Sequence, residues 1–361
     1  MHISPLNPRV QPPVRNAIIV SLLMILPCIA FSQTRYVETQ LSFLPTDINN
    51  SGQVIGYNGT GSSGSSTSYI WSNGITTSLG NGVVTSINDN GIVAGIKDDT
   101  PTYWQNANST SVGTAGSYSS VLINNSGTLA VNTSSGSYLQ NIYSNSVVNL
   151  SSANFVDTVA YVTALNANGQ YAGVQLHADS GTTIDGVFYA ASRHAEGFMS
   201  QWLALGGVPG QGFVPTAMNG SGIAVGYGND FFRSGWIFDG LSSTSLGEGN
   251  TPWDINDAGT IVGGGFKNFY ATGGTANAFI VEDNLYYDLN SLIDQRDPGL
   301  GHVYSAFAVN DSGLIIGYDT ANSSGVLLTP ITAIPEPATY AAICGLATMG
   351  FALIRRRRVV V

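Results

Sequence analysis

Short apolar runs alternate with polar, glycine-containing turns along most of the chain, and one five-residue phrase recurs seven times. Each copy has an apolar residue, Asn, two polar or small residues and Gly, and an apolar run such as Gln53–Tyr57 follows it. An Asn that bonds its own following backbone and a Gly with positive φ form a type I turn with a bulge, so each phrase predicts a hairpin. The turn glycines are Gly52, Gly91, Gly127, Gly169, Gly222, Gly259 and Gly313, at spacings of 39, 36, 42, 53, 37 and 54 residues.

A third and a fourth strand are predicted downstream of each hairpin. Aromatic segments such as 69–71 and 235–238 supply the third strand, and a turn such as Ser72–Gly74 leads to a fourth strand that often ends in Leu-Gly. Four strands in about 40 residues are typical of a β-propeller blade. The alternative is a parallel β-helix, which would need a shorter period.

The two ends of the repeat region complement each other. The seventh unit stops after its third strand, at 325–328, whereas the chain before the first phrase contributes a strand-like segment at 35–41. A strand taken from the N-terminus would complete the last blade and remove the free sheet edges. We therefore predict an all-β fold, a seven-bladed β-propeller of four-stranded blades closed by the N-terminal strand.

The N-terminus has the pattern of a secretory signal peptide, predicted over 1–32. Arg9 and Arg15 precede an apolar run from 17 to 30, and small residues at Ala30 and Ser32 predict cleavage between Ser32 and Gln33. The run of 14 residues is short for a membrane span, which needs about 20. Lipidation at Cys28 is the alternative, although Pro27 precedes it where a lipoprotein signal has a small residue.

The C-terminus, 334–361, combines three features in order: a Pro-Glu-Pro motif, an apolar stretch and an arginine cluster. The stretch 338–354 has 17 residues and predicts a short transmembrane helix whose arginine-flanked end stays in the cytoplasm. The bulk of the chain, a propeller domain at 33–333, would then lie outside. The simplest interpretation of this stretch is a C-terminal membrane anchor. The motif residues are Pro335, Glu336, Pro337, Arg355, Arg356, Arg357 and Arg358.

This C-terminal segment resembles the PEP-CTERM sorting domain, also called the ice-binding protein C-terminal domain. The resemblance covers 334–358. It implies an exosortase-type membrane enzyme as a partner, removal of the tail near Pro-Glu-Pro after a transient stay in the inner membrane, and delivery to the cell surface. Members of that family often occur in bacteria that make exopolysaccharide. The second name of this domain does not imply that the protein binds ice.

The repeats resemble the HAF repeats of bacterial extracellular proteins over most of 36–330. The match lies in the third strand, the turn, the Leu-Gly ending and the Asn…Gly hairpin, and 287–294 is similar to the late unit of that family. The family's His-Ala-Phe is degenerate here, with Asn277-Ala278-Phe279 nearest. No activity is firmly attached to HAF repeats, so the resemblance supports the fold and not a function.

Charge and cysteine content narrow the function classes. Without its two ends the domain keeps six basic and 21 acidic residues, a net charge of −15. This acidity argues against a nucleic-acid partner, because phosphate contacts need a Lys/Arg patch. Cys28 and Cys344 both lie in the segments expected to leave, so the domain has no disulfide. About 300 residues can bury a large core without one.

The sequence contains few residues that could form a catalytic or metal-binding site. An insertion near Gln175–Glu196 holds His177 and His194 beside several acidic residues, which could form a metal or acid–base site or a solvated loop. Asp47–Gly52 and Asp254–Gly259 distantly echo a calcium loop but lack its final carboxylate, so no metal or cofactor is predicted and Ca²⁺ is the alternative. A second insertion falls near 290–303. Insertions on a propeller often decorate a binding face, and tolerated loop growth is the alternative. Tryptophans could stack on sugars or fill the core between blades; they are Trp71, Trp104, Trp202, Trp236 and Trp253.

The sequence shows no nucleophile elbow, phosphate loop or paired-histidine motif. We therefore expect a non-catalytic, exported surface propeller that binds exopolysaccharide or a surface protein, or a structural coat component. The alternative is a propeller lyase or hydrolase acting on polysaccharide. Titratable residues converging on one mouth of the channel would favour the enzyme.

Overall fold

The structure of the protein is a computed structural model. It describes residues 33–134, 136–150, 158–177, 187–191, 202–204, 213–228, 234–239, 242–265, 277–296, 300–319 and 324–331. One compact unit spans Arg35–Ile331. The predicted signal peptide, sorting motif and helix at 338–354 lie outside the described residues. Within those residues no helix is long and apolar enough to cross a membrane.

Within the described ranges the strands form seven sheets, each built mainly from strands consecutive in the chain. The first three sheets contain β2 (Leu44–Ile48), β3 (Val54–Gly59), β4 (Ser66–Ser72) and β5 (Ile75–Asn81); β6 (Val83–Ile87), β7 (Val93–Lys97), β8 (Thr100–Gln105) and β9 (Asn108–Ser111); and β10 (Tyr118–Ile123), β11 (Thr128–Thr133), β12 (Gly136–Asn141) and β13 (Val147–Asn149). The next three contain β14 (Thr158–Leu165), β15 (Tyr171–His177), β16 (Val187–Ala191) and β17 (Trp202–Ala204); β18 (Phe213–Met218), β19 (Ala224–Gly228), β20 (Gly235–Phe238) and β21 (Ser243–Gly247); and β22 (Asn250–Ile255), β23 (Ile261–Gly265), β24 (Ala278–Glu282) and β25 (Leu285–Asp288).

The seventh sheet joins the two ends of the unit. Its order is β26-β1-β29-β28-β27, formed from β1 (Arg35–Leu41), β26 (Ile293–Gln295), β27 (Val303–Val309), β28 (Ile315–Asp319) and β29 (Ser324–Ile331). β1 runs antiparallel to β29, with Arg35 opposite Ile331 and Leu41 opposite Gly325. The N-terminal strand thus completes a sheet begun by C-terminal strands.

Each sheet packs on the next in chain order, and β2 of the first sheet packs on β27 and β28 of the seventh. The prediction of an all-β propeller with four-stranded blades is therefore confirmed, and the β-helix alternative is wrong. The innermost strand of each sheet is the one that precedes an Asn…Gly turn.

The core is divided among the sheet interfaces, and one buried apolar cluster lies at each of them in the described unit. Between the first two sheets, Trp104 is 1% exposed, packs against Ile55 and Val84, and donates its indole N–H to the Leu79 carbonyl at 3.2 Å. Trp71 packs at the interface between the first and seventh sheets. These two third-strand tryptophans therefore fill the spaces between blades.

The second insertion braces the closing strand. A 3₁₀ helix at Leu289–Leu292 leads into β26, which runs parallel to β1. Arg296 then donates to the carboxylate of Glu38 on β1 at 2.8 Å, and the Glu38 side chain is fully buried. Arg35 pairs with Asp294 at the exposed edge of the same sheet. This segment therefore fastens the N-terminal strand, a role that the expected binding-face decoration did not foresee.

Candidate functional site: the central channel

A ring of hydrogen bonds from asparagine side chains closes one end of the channel. Each repeat phrase supplies one Asn, and its side-chain Nδ2 donates to the backbone carbonyl of the Asn in the next sheet at 2.9–3.2 Å. Asn310 of the last phrase donates to the Asn49 carbonyl at 3.0 Å, so the ring is continuous. All seven are buried: Asn49, Asn88, Asn124, Asn166, Asn219, Asn256 and Asn310.

The same asparagines shape their own turns. The Oδ1 of Asn49 accepts the backbone N–H of Ser51 at 3.1 Å and of Gln53 at 2.9 Å, while Gly52 N–H donates to the Asn49 carbonyl at 3.0 Å. Gly52 has φ +73°, and the other six turn glycines have φ between +72° and +86°. One side chain therefore fixes a turn and joins two sheets at once.

The residue after each ring Asn forms the rim of this end, which we call the turn-side mouth. Asn50 N–H donates to Asp89 at 2.9 Å, Asp257 N–H to Asp311 at 2.9 Å, and Asp311 N–H back to Asn50 at 2.9 Å. Asn125 donates its amide to Asp89 at 2.7 Å. The rim is polar and acidic, and its carboxylates are bonded to neighbouring turns.

Two further carboxylates, Asp47 and Asp254, line a chamber of about 260 Å³ inside the channel. The Oδ2 of Asp47 accepts the Ile87 N–H of the next sheet at 2.8 Å, and the Oδ2 of Asp254 accepts the Val309 N–H of its next sheet at 2.8 Å. Burial raises the pKa of Asp47 to about 7, with a smaller increase from the charge of Asp254. Burial likewise raises the pKa of Asp254 to about 6.

The bonding pattern assigns these carboxylates a structural role. In the second sheet Ser86 occupies the equivalent position, five residues before the turn glycine, and its hydroxyl accepts the Ile123 N–H at 3.3 Å. Both oxygens of Asp47 accept backbone amides, since Oδ1 takes the Ile48 N–H at 2.8 Å. The shared task of Asp47, Ser86 and Asp254 is to join adjacent inner strands.

The opposite end of the channel, which we call the aromatic mouth, is a cavity of about 510 Å³. It lies where the inner strands begin, and its floor is shared with the acidic chamber through Thr46, Trp253 and Phe307. Tyr227 meets Trp253 edge to face, with ring centroids 6.1 Å apart. The described lining residues are all uncharged: Leu44, Pro45, Thr46, Thr163, Val214, Pro215, Thr216, Tyr227, Trp253 and Phe307.

Of the candidate site residues predicted from the sequence, the two aspartates lie in the channel and His302 does not contribute to its lining. His177 ends β15 and His194 lies outside the described residues, so the proposed histidine cluster stays a prediction. His302 bonds Asn277 at 2.7 Å, away from the channel lining. The Asp47 and Asp254 carboxylates accept backbone amides, and calcium at their loops stays an alternative. Among the described residues no group of three or more His, Cys, Asp or Glu is arranged to hold a metal ion.

Trp253 was among the tryptophans that the sequence offered for stacking on sugars, but the aromatic mouth around it was not predicted, although an alignment of the seven phrases holds a signal for it. Six residues before the turn glycine, the first five copies carry Thr or Val, while the last two carry Trp253 and Phe307. In most sheets this residue sits in a β-bulge of the inner strand, for example between Pro252 and Asp254. Bulges re-aim side chains, which places these residues on the channel.

Comparison with known proteins gives the fold. No family model and no curated protein matches the chain. Among solved structures, it is similar to the β-propeller domain of the Trilobed protease from Pyrococcus furiosus, described as having an open velcro topology, with TM-score 0.54, 12% identity, and coverage of 82% of this chain and 99% of that one.

Two further structures show the same likeness. YCF48 bound to a D1 peptide has TM-score 0.51 and 12% identity, covering 83% of this chain and 98% of that one. Virginiamycin B lyase from Staphylococcus aureus has TM-score 0.50 and 9% identity, covering 83% and 100%. The likeness is to the β-propeller fold. Sequence identities this low give no information about the activity of this protein.

Proposed function

We propose that this protein is an exported, non-catalytic binding propeller whose ligand enters at the aromatic mouth, and that its seven sheets are seven blades of one closed ring. The observation that carries the proposal is the uncharged cavity of about 510 Å³ with Tyr227, Trp253 and Phe307 in its wall. Sites for small ligands are concave, mostly apolar and of roughly 300–1,000 Å³. Export by the signal peptide and sorting by the PEP-CTERM-like tail would bring this cavity to the cell surface.

The path of the chain supports this use of the aromatic mouth. β29 runs toward the turn-side mouth, because a Cβ on Gly313 of that turn would lie 3.7 Å from Pro330 near the end of β29. Arg35, opposite Ile331, starts β1 at the same face. The first and last described residues of these two strands, Arg35 and Ile331, therefore lie at the turn side. The aromatic mouth opens on the other face of the propeller, away from these two strand ends.

The alternative, a polysaccharide lyase or hydrolase, has one supporting observation: carboxylates do converge on the channel. The separate roles required for general acid and base catalysis are not visible in their bonding, because Asp47 and Asp254 sit at equivalent positions and accept equivalent backbone amides. The similar structures include a lyase and a peptide-bound protein. Because these similar proteins differ in function, they do not decide between an enzyme and a binding protein. The site supports a binding protein.

A sedimentation assay with extracellular matrix tests the proposal. The full-length protein, exported by a bacterial host and purified in detergent, is mixed with matrix from an exopolysaccharide-producing culture. We expect the protein to sediment with the matrix, the polymer to keep its chain length, and Trp253→Ala to remain in solution. Shortening of the polymer by wild-type protein but not by Asp47→Ser would replace the proposal with the enzyme.

A further inference from the structure

The aromatic mouth carries information about the chemistry of its ligand, provided that the binding function proposed above holds. Its wall combines three aromatic rings with threonine hydroxyls. Aromatic rings offer large apolar faces at low entropic cost and dominate recognition sites. The edge-to-face contact with Tyr227 fixes the orientation of the Trp253 ring, so a planar platform is already in place before a ligand binds.

The threonines add hydrogen-bond acceptors. Thr46 donates its hydroxyl hydrogen to the Val84 carbonyl at 3.1 Å, and Thr216 donates to the Pro252 carbonyl at 2.8 Å. A hydroxyl has one donor and two acceptor lone pairs, so these oxygens keep acceptor capacity after donating. They suit a ligand that presents many O–H donors.

Charge restricts the ligand further. None of the described residues that line the aromatic mouth is ionisable near neutral pH, so nothing there compensates a ligand charge. Directly below, Asp47 and Asp254 share the chamber, and the described residues lining it include no Lys or Arg. Burying an anion there would be unfavourable, since like charges repel strongly in a partly desolvated site. The carboxylate oxygens already accept backbone amides, so no cation is needed to satisfy them.

We infer that the aromatic mouth binds an uncharged saccharide, stacked on Trp253 and bonded through its hydroxyl groups to the threonine oxygens. The apolar face of a pyranose matches the ring face of Trp253, while its equatorial hydroxyls match the acceptors. The cavity of about 510 Å³ adjoins the smaller acidic chamber of about 260 Å³, and this arrangement suits the end of a polysaccharide chain or a short branch.

Isothermal titration on the full-length protein in detergent tests this inference. The probes are short neutral hexose oligosaccharides, uronic acid oligosaccharides, glucosamine oligosaccharides with free amines, and a proline-rich peptide. We expect binding of a neutral oligosaccharide, affinity at least about tenfold weaker for the uronic acid series, and little effect of salt. Trp253→Ala and Tyr227→Ala should each weaken binding by about tenfold or more, a loss equivalent to about 1.4 kcal/mol.

Tyr143→Ala is the matched control, because Tyr143 is 64% exposed on a hairpin away from the aromatic mouth. It should bind as wild type, and thermal melts of all variants should show that each is folded. Trp253→Phe, which keeps a ring face, should retain part of the affinity. If Trp253→Ala fails to fold, Tyr227→Ala and Trp253→Phe still decide the question.

The outcomes separate the ligand class from the site. Preferential binding of the peptide, the amine or the uronic acid series, lost in Tyr227→Ala, would overturn the saccharide and leave the binding function standing. Neutral saccharide binding that survives both Trp253→Ala and Tyr227→Ala would overturn the aromatic mouth as the site. Absence of binding to every probe, together with failure to sediment with matrix, would overturn both proposals.

Discussion

Replacing Asn310 with aspartate tests whether the asparagine ring holds the propeller together. Asn310 is 3% exposed and makes three hydrogen bonds: its Nδ2 donates to the Asn49 carbonyl, and its Oδ1 accepts the N–H groups of Ser312 and Leu314 at 3.0 and 2.9 Å. An ionised carboxylate at this position has no donor for the Asn49 carbonyl, although it still accepts both turn amides. The substitution, Asn310→Asp, therefore removes the link between sheets and leaves the turn intact.

The cost of Asn310→Asp at neutral pH combines two effects. Losing one hydrogen bond costs about 1 kcal/mol, and placing two acceptors in contact inside the protein adds about 1–3 kcal/mol. The total is about 3 kcal/mol. With an unfolding entropy of about 2.1 cal/mol/K per residue over about 300 residues, this lowers the melting temperature by about 5 °C. Protonation of the new carboxyl would restore a donor, so the deficit should shrink on acidification.

The assay is thermal unfolding of wild type and Asn310→Asp from pH 8 to pH 4.5, followed by circular dichroism. Asn106→Asp, in an exposed turn, is the control and should melt as wild type at every pH. The nearby Asp254 and Asp311 should raise the pKa of the introduced carboxyl, so recovery should begin above its usual range. A deficit that stays constant between pH 8 and pH 4.5, or no deficit at all, would refute the role of the ring.

Three further predictions concern stability. The pKa values of Asp47 and Asp254 are raised to about 7 and about 6, so the folded state binds protons more tightly than the unfolded state. The free energy of unfolding should therefore fall as pH rises from about 4 to about 7. In Asp47→Ser, the melting temperature should depend less on pH over this range. Glu38→Ala should lower the free energy of unfolding by about 3 kcal/mol, because it removes the carboxylate that pairs with the partly buried Arg296. Arg35→Ala, which breaks an exposed ion pair, should lower it far less, and urea unfolding measures both. Gly259→Ala should cost about 1–2 kcal/mol from its φ of +86° alone, because an added Cβ meets nothing within 4 Å, and a cost near zero in urea unfolding would contradict the left-handed turn.

The repeated features of the fold were readable from the sequence because each is specified several times. The phrase around Gly52 predicted a turn with an Asn bonded to its own backbone, and the structure has that bond. The missing fourth strand at the end of the repeats predicted the use of 35–41, and β1 fills that place. Local turn chemistry and a constant period carry these conclusions, and both are visible in one chain.

Features that depend on a contact between distant segments were not readable. Nothing near Asn49 shows that its Nδ2 reaches the Asn88 carbonyl, because the local turn already explains the residue. The brace formed by Arg296 and Glu38 joins positions 258 residues apart, and the insertion that carries it looked like loop growth. The sequence shows the carboxylates of Asp47 and Asp254 but not the backbone amides of the next sheet that they accept.

The contrast between the two mouths explains how a repetitive chain can hold a specific site. At the turn side, seven copies keep the same Asn and the same left-handed Gly, since altering one would break both a turn and a link to the next sheet. Nearer the other end, the residue six positions before each turn glycine differs between copies: Thr46 and Thr216 bond the next sheet, whereas Trp253 and Phe307 bring aromatic rings to the mouth. A binding constellation is most effective when it is held by rigid elements. The hydrogen-bonded ring supplies that rigidity at one end, and the variable positions at the other end supply the specificity.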